Sequence, residues 1–381
     1  MKRTWVLSAI VVCGLAVAVG AAQRDAGAGQ DAGRGGGGGR GGGGAIPPTG
    51  AIQHIRDNLY KIPGAGGNTT VFIREDGVVL VDTKLANNGD AILKQVQTVT
   101  NKPVTMIINT HSHPDHNGSN DQIKAAAKPN YVQVVAHENT KKLVSAVQRP
   151  NPATIPDVTF DNTMRLGTGK DRIDLYYFGA GHTNGDAFIV FPSVRAMCIG
   201  DLMAWNMAPL IDPAAGGSVV ALGETLAKAE RTIKGVDLVI EGHGNVNTFQ
   251  GMRAYGDFMR ALVSTAKQGL AKKQTTEQAL AELKKNPKFA VFLGTERLKD
   301  LEYGDTPEHR ALINLNVAYQ ELRGEPVTTY FGPAQSIGPE KGSAPPPAPR
   351  GGGAGARPGG PGGPNGPGNG GGVPPANPPG R

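Results

Sequence analysis

The stretch Thr110-His111-Ser112-His113-Pro114-Asp115-His116-Asn117-Gly118 decides how this chain is read. Three histidines and one aspartate stand within six residues, directly after an apolar run at 104–108 with the composition of a buried strand. If that strand persists, alternation sends His111 and His113 to the same side. Pro114 then bars helix continuation and forces a turn, so that Asp115 and His116 fold back towards the two earlier imidazoles. Neutral imidazole and carboxylate are the donors that zinc and similar divalent ions take. A polar loop that merely contains histidines has no reason to crowd four such groups together. We expect a metal site.

Three further donors occupy the same kind of place. His182 lies in Gly181-His182-Thr183 after the run 173–178, and Asp201 follows Gly200 after the run 196–199. His243 lies in Gly242-His243-Gly244 after the run 236–240. Five of the eight histidines therefore stand just beyond strand-like runs. Loops at strand ends gather at one rim of a sheet, so segments far apart in sequence can converge there.

The ordered pattern His-x-His-x-Asp-His, Gly-His-Thr, Gly-Asp and Gly-His-Gly resembles the metallo-β-lactamase superfamily of metallohydrolases, over residues 52–250. Val81-Asp82-Thr83 is similar to the early strand end whose Asp supports the metal loop in that superfamily. The resemblance implies an α/β fold of four layers, an αβ/βα sandwich. It implies two Zn2+ ions per chain, with iron or manganese accepted by the same ligands. His111, His113 and His182 would hold the first ion, Asp115, His116 and His243 the second, and Asp201 would bridge them. The implied reaction is hydrolysis of an ester, thioester, lactone or amide of a small molecule by a metal-bound hydroxide. Asp115 and His116 are its expected catalytic residues, with Asp115 orienting the water. No Ser or Cys nucleophile is needed, and Ser112 is expected to point away from its two ligand neighbours.

Departures from the family narrow the reading. Diiron flavoprotein oxidases of this kind carry an acidic residue where Pro114 stands, which disfavours oxygen reduction. True β-lactamases usually have Cys or a non-ligating residue where this chain has Asp201. The bridging Asp is typical of glyoxalase II-like thioesterases, lactonases and unassigned hydrolases, so β-lactam hydrolysis is the alternative and not the first reading. An alternative of another class is a non-catalytic exported zinc-binding protein. A structural zinc site closes with four ligands and needs no bridging carboxylate, which argues against it.

Composition sets the frame around this site. Lys2 and Arg3 precede an apolar run, 5–19, and small residues at 20–22, the pattern of a secretory signal over 1–22. We expect an exported, periplasmic or secreted protein without stable membrane insertion after cleavage; an uncleaved anchor is the alternative. Segments 23–45 (Gly/Arg-rich) and 338–381 (Gly/Pro-rich) bury too little apolar surface to offset their chain entropy, so both are expected to be disordered. The net charge is +7, and six of those charges sit in the two ends, leaving 46–337 near neutral. A nuclease needs a basic surface, so no nucleic-acid partner is expected. The catalytic domain is placed at 46–337, with Cys198 as a buried, inert thiol.

Asp-Gly at 76–77 between apolar runs predicts a hairpin. Helical spacing is found at 89–99, 117–127, 140–147, 219–233, 251–270, 276–285 and 307–322. Substrate specificity is assigned to rim loops 64–68, 149–156 and 203–217. The apolar loop after Asp201, with Met203, Trp205, Met207 and Leu210, is read either as a substrate wall or as buried against C-terminal helices, which pack as helix faces or as a lid. His137 is read as a surface group or one supporting the site, and His54 and His309 as surface histidines. Thr183 is expected to support a turn or a ligand. Asp186 is read either as orienting an imidazole or as stabilising a turn.

Overall fold

The computed structural model describes residues 48–147, 150–296 and 306–327, all within one compact unit. The segments expected as signal, linker and tail lie outside the described residues. Thirteen strands form two sheets among the described residues. The first has the order β1 (Gln53–Arg56), β2 (Leu59–Ile62), β3 (Thr69–Ile73), β4 (Val78–Val81), β5 (Val104–Ile108), β6 (Gln133–His137) and β7 (Val158–Phe160). It is antiparallel from β1 to β4 and parallel from β4 to β7. Helices α1 (Gly89–Gln97), α2 (Pro114–Asn117), α3 (Asn120–Ala126) and α4 (Glu138–Ala146) fall in the crossovers between the parallel strands.

The second sheet runs β13 (Val246–Thr248), β12 (Leu238–Ile240), β11 (Ala196–Cys198), β10 (Phe188–Phe191), β9 (Ile173–Tyr176), β8 (Thr163–Leu166). Its parallel pair, β11 and β12, is joined through α5 (Val219–Thr232). Helices α6 (Phe249–Ala271), α7 (Thr276–Lys284) and α8 (Pro307–Arg323) follow.

Burial explains the layers. The run Val78-Val79-Leu80-Val81 is fully buried on both faces, as a central parallel strand requires. Val79 and Val81 face the other sheet, where Leu175, Ile189 and Cys198 meet them, and the Phe72 and Phe191 rings stand 4.9 Å apart. Val78 and Leu80 face outwards onto Ile92 and Val96 of α1 and Ile123 of α3. The outer face of the second sheet packs Phe188, Met197 and Val239 against α5, α6, α7 and α8. This is the αβ/βα sandwich.

Several local expectations change. The strand β5 stops at Ile108, so alternation does not place His111 and His113. Pro114 starts a helix instead of barring one: it is the first residue of α2, where its missing N–H and fixed φ cost nothing. The helix expected at 117–127 is α3, which starts later, at Asn120; Gly118-Ser119 separates it from the short α2. The C-terminal helices α6 and α7 form core, with Phe258, Met259 and Leu262 fully buried, and are no lid.

Candidate metal centre

The parallel strands β4, β5, β11 and β12 all run into one rim, and their last residues deliver the site. At the end of β4 the chain turns sharply, with φ at +62° for Asp82 and +65° for Lys84. This corner aims the Asp82 carboxylate back at the loop after β5. It accepts from Thr110 N at 2.8 Å, Thr110 Oγ1 at 2.7 Å and His116 Nδ1 at 2.7 Å.

Such outer partners set the tautomer of each imidazole. His116 donates its Nδ1 proton to Asp82, so Nε2 is the nitrogen turned inwards. Thr110 Oγ1 spends its proton on Asp82 and so accepts from His111 Nδ1 at 2.9 Å, leaving His111 Nε2 bare. His113 Nε2 donates to Asp212 Oδ2 at 2.9 Å, and His182 Nδ1 donates to the Leu210 carbonyl. The remaining nitrogens of these two rings, His113 Nδ1 and His182 Nε2, then confront each other at 2.8 Å, lone pair against lone pair. A cation relieves that repulsion.

The carboxylates make the same demand. Asp201 Oδ1 lies 3.2 Å from His116 Nε2, and Asp115 Oδ2 lies 3.2 Å from His243 Nε2. Yet Asp115 Oδ2, Asp201 Oδ1 and His111 Nε2 are buried without an aligned hydrogen-bond partner. Three overlapping donor groups result: His111, His113 and His182; His111, His116 and Asp201; Asp115, His116 and His243. Within each group the ligand atoms lie within 4.8 Å of one another. Their number and chemistry suit a divalent metal.

Burial of this many polar groups moves their protonation. Burial depresses the pKa of His243, but Asp201 and Asp115 more than reverse this and raise it to about 9. The same carboxylates hold His116 well above the usual histidine range against its burial. Burial would raise Asp115 and Asp201, but their imidazole neighbours hold both below the usual carboxylate range. On the other side, burial and the facing His113 push His182 down to about 4. The Asp201 side of the site thus calls for positive charge, and the His111–His182 side for neutral donors.

Two glycines give the donors room. A Cβ on Gly242 would stand 1.9 Å from Asp201 Oδ1, and one on Gly67 would stand 2.3 Å from His116 Cε1. Gly67 belongs to the β2–β3 loop, which ties the two halves of the rim together. Gly67 N donates to Asp115 O at 3.0 Å, and Asn68 N donates to Gly242 O at 2.7 Å. Beneath this loop lies the fully buried Lys84. Its Nζ donates to the carbonyls of Ile62, Gly64 and Gly67 at 2.7, 2.7 and 2.9 Å.

All seven residues named from sequence, His111, His113, Asp115, His116, His182, Asp201 and His243, lie in this one buried cluster. Asp82 stands behind it, as its strand-end position suggested. Asp186 binds Thr183 N and Oγ1 at 2.9 and 2.6 Å, which is the turn-stabilising alternative. His137 caps α4 through Asn139 N and stacks on Tyr177 at 3.9 Å, so it supports the frame. Cys198 is buried, and burial pushes its thiol up to about 12. Met203, Met207 and Leu210 are buried; Trp205 alone of that set stays half-exposed. Sequence reasoning missed the roles of Asp212 and Lys84. Asp212 follows an apolar run and precedes Pro213, which reads as an ordinary turn, and an isolated Lys carries no motif.

Comparison with known proteins agrees with this geometry. The pattern of the Metallo-beta-lactamase superfamily matches residues 62–243. A metallo-beta-lactamase type 2 of Elizabethkingia meningoseptica is 29% identical over 166 residues, covering 40% of this chain and 62% of that protein. One from Bacillus sp. (strain 170) is 25% identical over 182 residues, covering 47% and 67%. This chain thus spans less than two thirds of the first relative's length. A solved double mutant of the sec-alkyl sulfatase PisA1 aligns with a TM-score of 0.55 at 18% identity, over 72% of this chain and 50% of that one, which is a likeness of fold. Sheet order, strand-end placement of the donors and the matched segment all lead to one assignment: residues 62–243 carry the fold and the sequence pattern of the metallo-β-lactamase superfamily.

Proposed function

We propose that this protein is an exported dinuclear zinc hydrolase acting on an ester, thioester, lactone or amide of a small molecule. The observation that carries the reading is the inward convergence of lone pairs and carboxylates, above all His113 Nδ1 against His182 Nε2 and the unaligned Asp115 Oδ2 and Asp201 Oδ1. His111, His113 and His182 would hold one ion, Asp115, His116 and His243 the other, and Asp201 would bridge. Bound zinc supplies Lewis acidity, which lowers the pKa of a water and polarises the substrate oxygen. Asp115 Oδ2 accepts a hydrogen bond from the attacking water and so orients it. Asp82 holds His116 in the tautomer that keeps Nε2 free for the site. The seven donors exceed the four of a structural zinc site, which is against a purely binding role. Export rests on the N-terminal pattern alone; no described helix is long and apolar enough to cross a membrane.

A second reading, β-lactam hydrolysis, is favoured by the curated relatives named metallo-beta-lactamase type 2 and disfavoured by Asp201. Metal analysis of the purified chain, with rates on lactone, thioester, ester and nitrocefin substrates before and after chelation, separates the readings. About two zinc ions per chain and a chelator-sensitive lactone or thioester rate are expected. Activity on nitrocefin alone would move the assignment to β-lactams, and one ion with no turnover would leave a binding protein.

A further inference from the structure

His243 differs from the other four imidazoles of the site. Each of those has its outer nitrogen fixed by a hydrogen bond that it donates to Asp82, Thr110, Asp212 or the Leu210 carbonyl. Among the described residues no hydrogen bond reaches His243 Nδ1. Its ring is instead covered by an indole: Trp205 stacks on it with centroids 4.4 Å apart and planes 25° apart.

The chain takes unusual steps to put that indole there. Trp205 and Asn206 have φ of +52° and +55°, two successive left-handed residues, and Ala204 and Met207 pair across them. This is the backbone of a tight turn normally built from Asn and Gly, and a bulky aromatic residue sits badly in it. The turn is held from behind. Trp205 N donates to the His243 carbonyl at 3.4 Å, and the Glu241 carboxyl, which accepts from Asn247 Nδ2 at 2.9 Å, lies against the amides of Asn206 and Trp205. Gly244, at φ +85°, leaves space for the indole edge, since a Cβ there would stand 3.2 Å from Trp205 Cδ1. The Arg310 guanidinium, buried on α8, lies 6.0 Å from the Trp205 ring centroid. Strain concentrated beside a functional group points to a role for that strain.

We propose that Trp205 is the positioning residue for His243, its aromatic face doing for this ligand what hydrogen bonds do for the other four. A stacked ring fixes the plane of an imidazole and leaves its Nε2 aimed inwards, while adding no basicity through Nδ1. The second glycine of Gly-His-Gly is then explained by the indole and the first by Asp201. The proposal rests on His243 being a metal ligand, as in the functional reading above.

The test uses the full-length chain carrying Trp5→Phe, so that Trp205 is the only indole. In the chelated protein titrated with Co2+, quenching of tryptophan emission is expected in step with cobalt binding, and is lost in His243→Ala at equal cobalt content. Zinc affinity is then measured for Trp205→Phe and Trp205→Leu. Phe keeps an aromatic face and should stay within about threefold of the parent. Leu keeps apolar bulk without a ring and should weaken the more labile zinc by about 10–100-fold, as loss of an outer partner does. Equal affinity for Leu and the parent would overturn the proposal, because packing alone would suffice. Phe as weak as Leu would overturn it too. If the parent itself binds fewer than two ions, the dinuclear reading fails instead, and the two failures are told apart.

Discussion

Replacing Lys84 by Met tests whether the loop over the site is held from below. The substitution keeps the apolar stem and removes an ammonium that donates to three carbonyls, those of Ile62, Gly64 and Gly67. Hydrogen bonds to a charged group contribute about 1.5–3 kcal/mol each, but the charge also costs desolvation, so the three do not add in full. The expected loss is about 3–5 kcal/mol, below the sum of three such bonds because removing the ammonium also removes its desolvation cost. At about 2–4 °C per kcal/mol for a domain of this size, the thermal midpoint should fall by roughly 10 °C. Lys61→Met is the internal control. Lys61 Nζ reaches one carbonyl, Gly244 O at 2.8 Å, so its loss should be about a third as large by the same count of bonds. Urea unfolding of the zinc-saturated proteins at equilibrium gives both numbers. A Lys84→Met loss below about 1 kcal/mol, or one no larger than that of Lys61→Met, would refute the reasoning.

Gly67→Ala should displace the His116 ring, because its Cβ would overlap three ring atoms at 2.3–2.7 Å. One zinc ion per chain should be lost or weakened, with activity down about 100-fold, as for an ångström-scale misplacement; unchanged metal content would show that the loop yields instead. Asp212→Asn should weaken the ion held by His113 about 10–100-fold while sparing the other, measured by stepwise chelator competition. The pH dependence of the chelated protein follows from His243. The folded chain holds its proton up to about 9, above the ordinary histidine value of 6.5, so this stabilisation is complete below pH 6.5 and is lost as pH rises through 9. Asp186, raised by burial to about 7 against 3.8, acts in the same direction at lower pH. The urea midpoint should fall between pH 6.5 and 9, and with excess zinc the slope should flatten or reverse, since binding needs deprotonated ligands. A rising midpoint in the chelated protein would contradict the assignment.

The donors were legible because strand ends punctuate the sequence. Val104–Ile108 and Ala196–Cys198 are short apolar runs followed within three residues by His or Asp, and such runs end at a common rim. The strands β1, β8 and β13 left little trace, since Gln53-His54-Ile55-Arg56 at a sheet edge is mostly exposed and shows no apolar run. The helix α2 is hard to read from sequence because Pro114 stops a helix in mid-run but starts one at a first helical turn. The partners of the ligands stayed hidden for another reason. Asp212 meets His113 from 99 residues away, and Lys84 acts on carbonyls that carry no side-chain identity. Nothing in a local pattern encodes either contact.

The split supply of donors has a consequence for how the protein holds together. Four donors come from one short stretch beside β5, while His182, Asp201 and His243 come from three separate segments of the other sheet. The first group can gather early, but the second arrives only when the two sheets have docked. An ion bound by both is then a cross-link between halves of the chain that only the folded state can hold, so its binding energy becomes folding energy. The described residues contain a single cysteine, buried and free, so no covalent staple is available among them. The rim that gathers the donors and the fastening of the sandwich are then the same set of bonds.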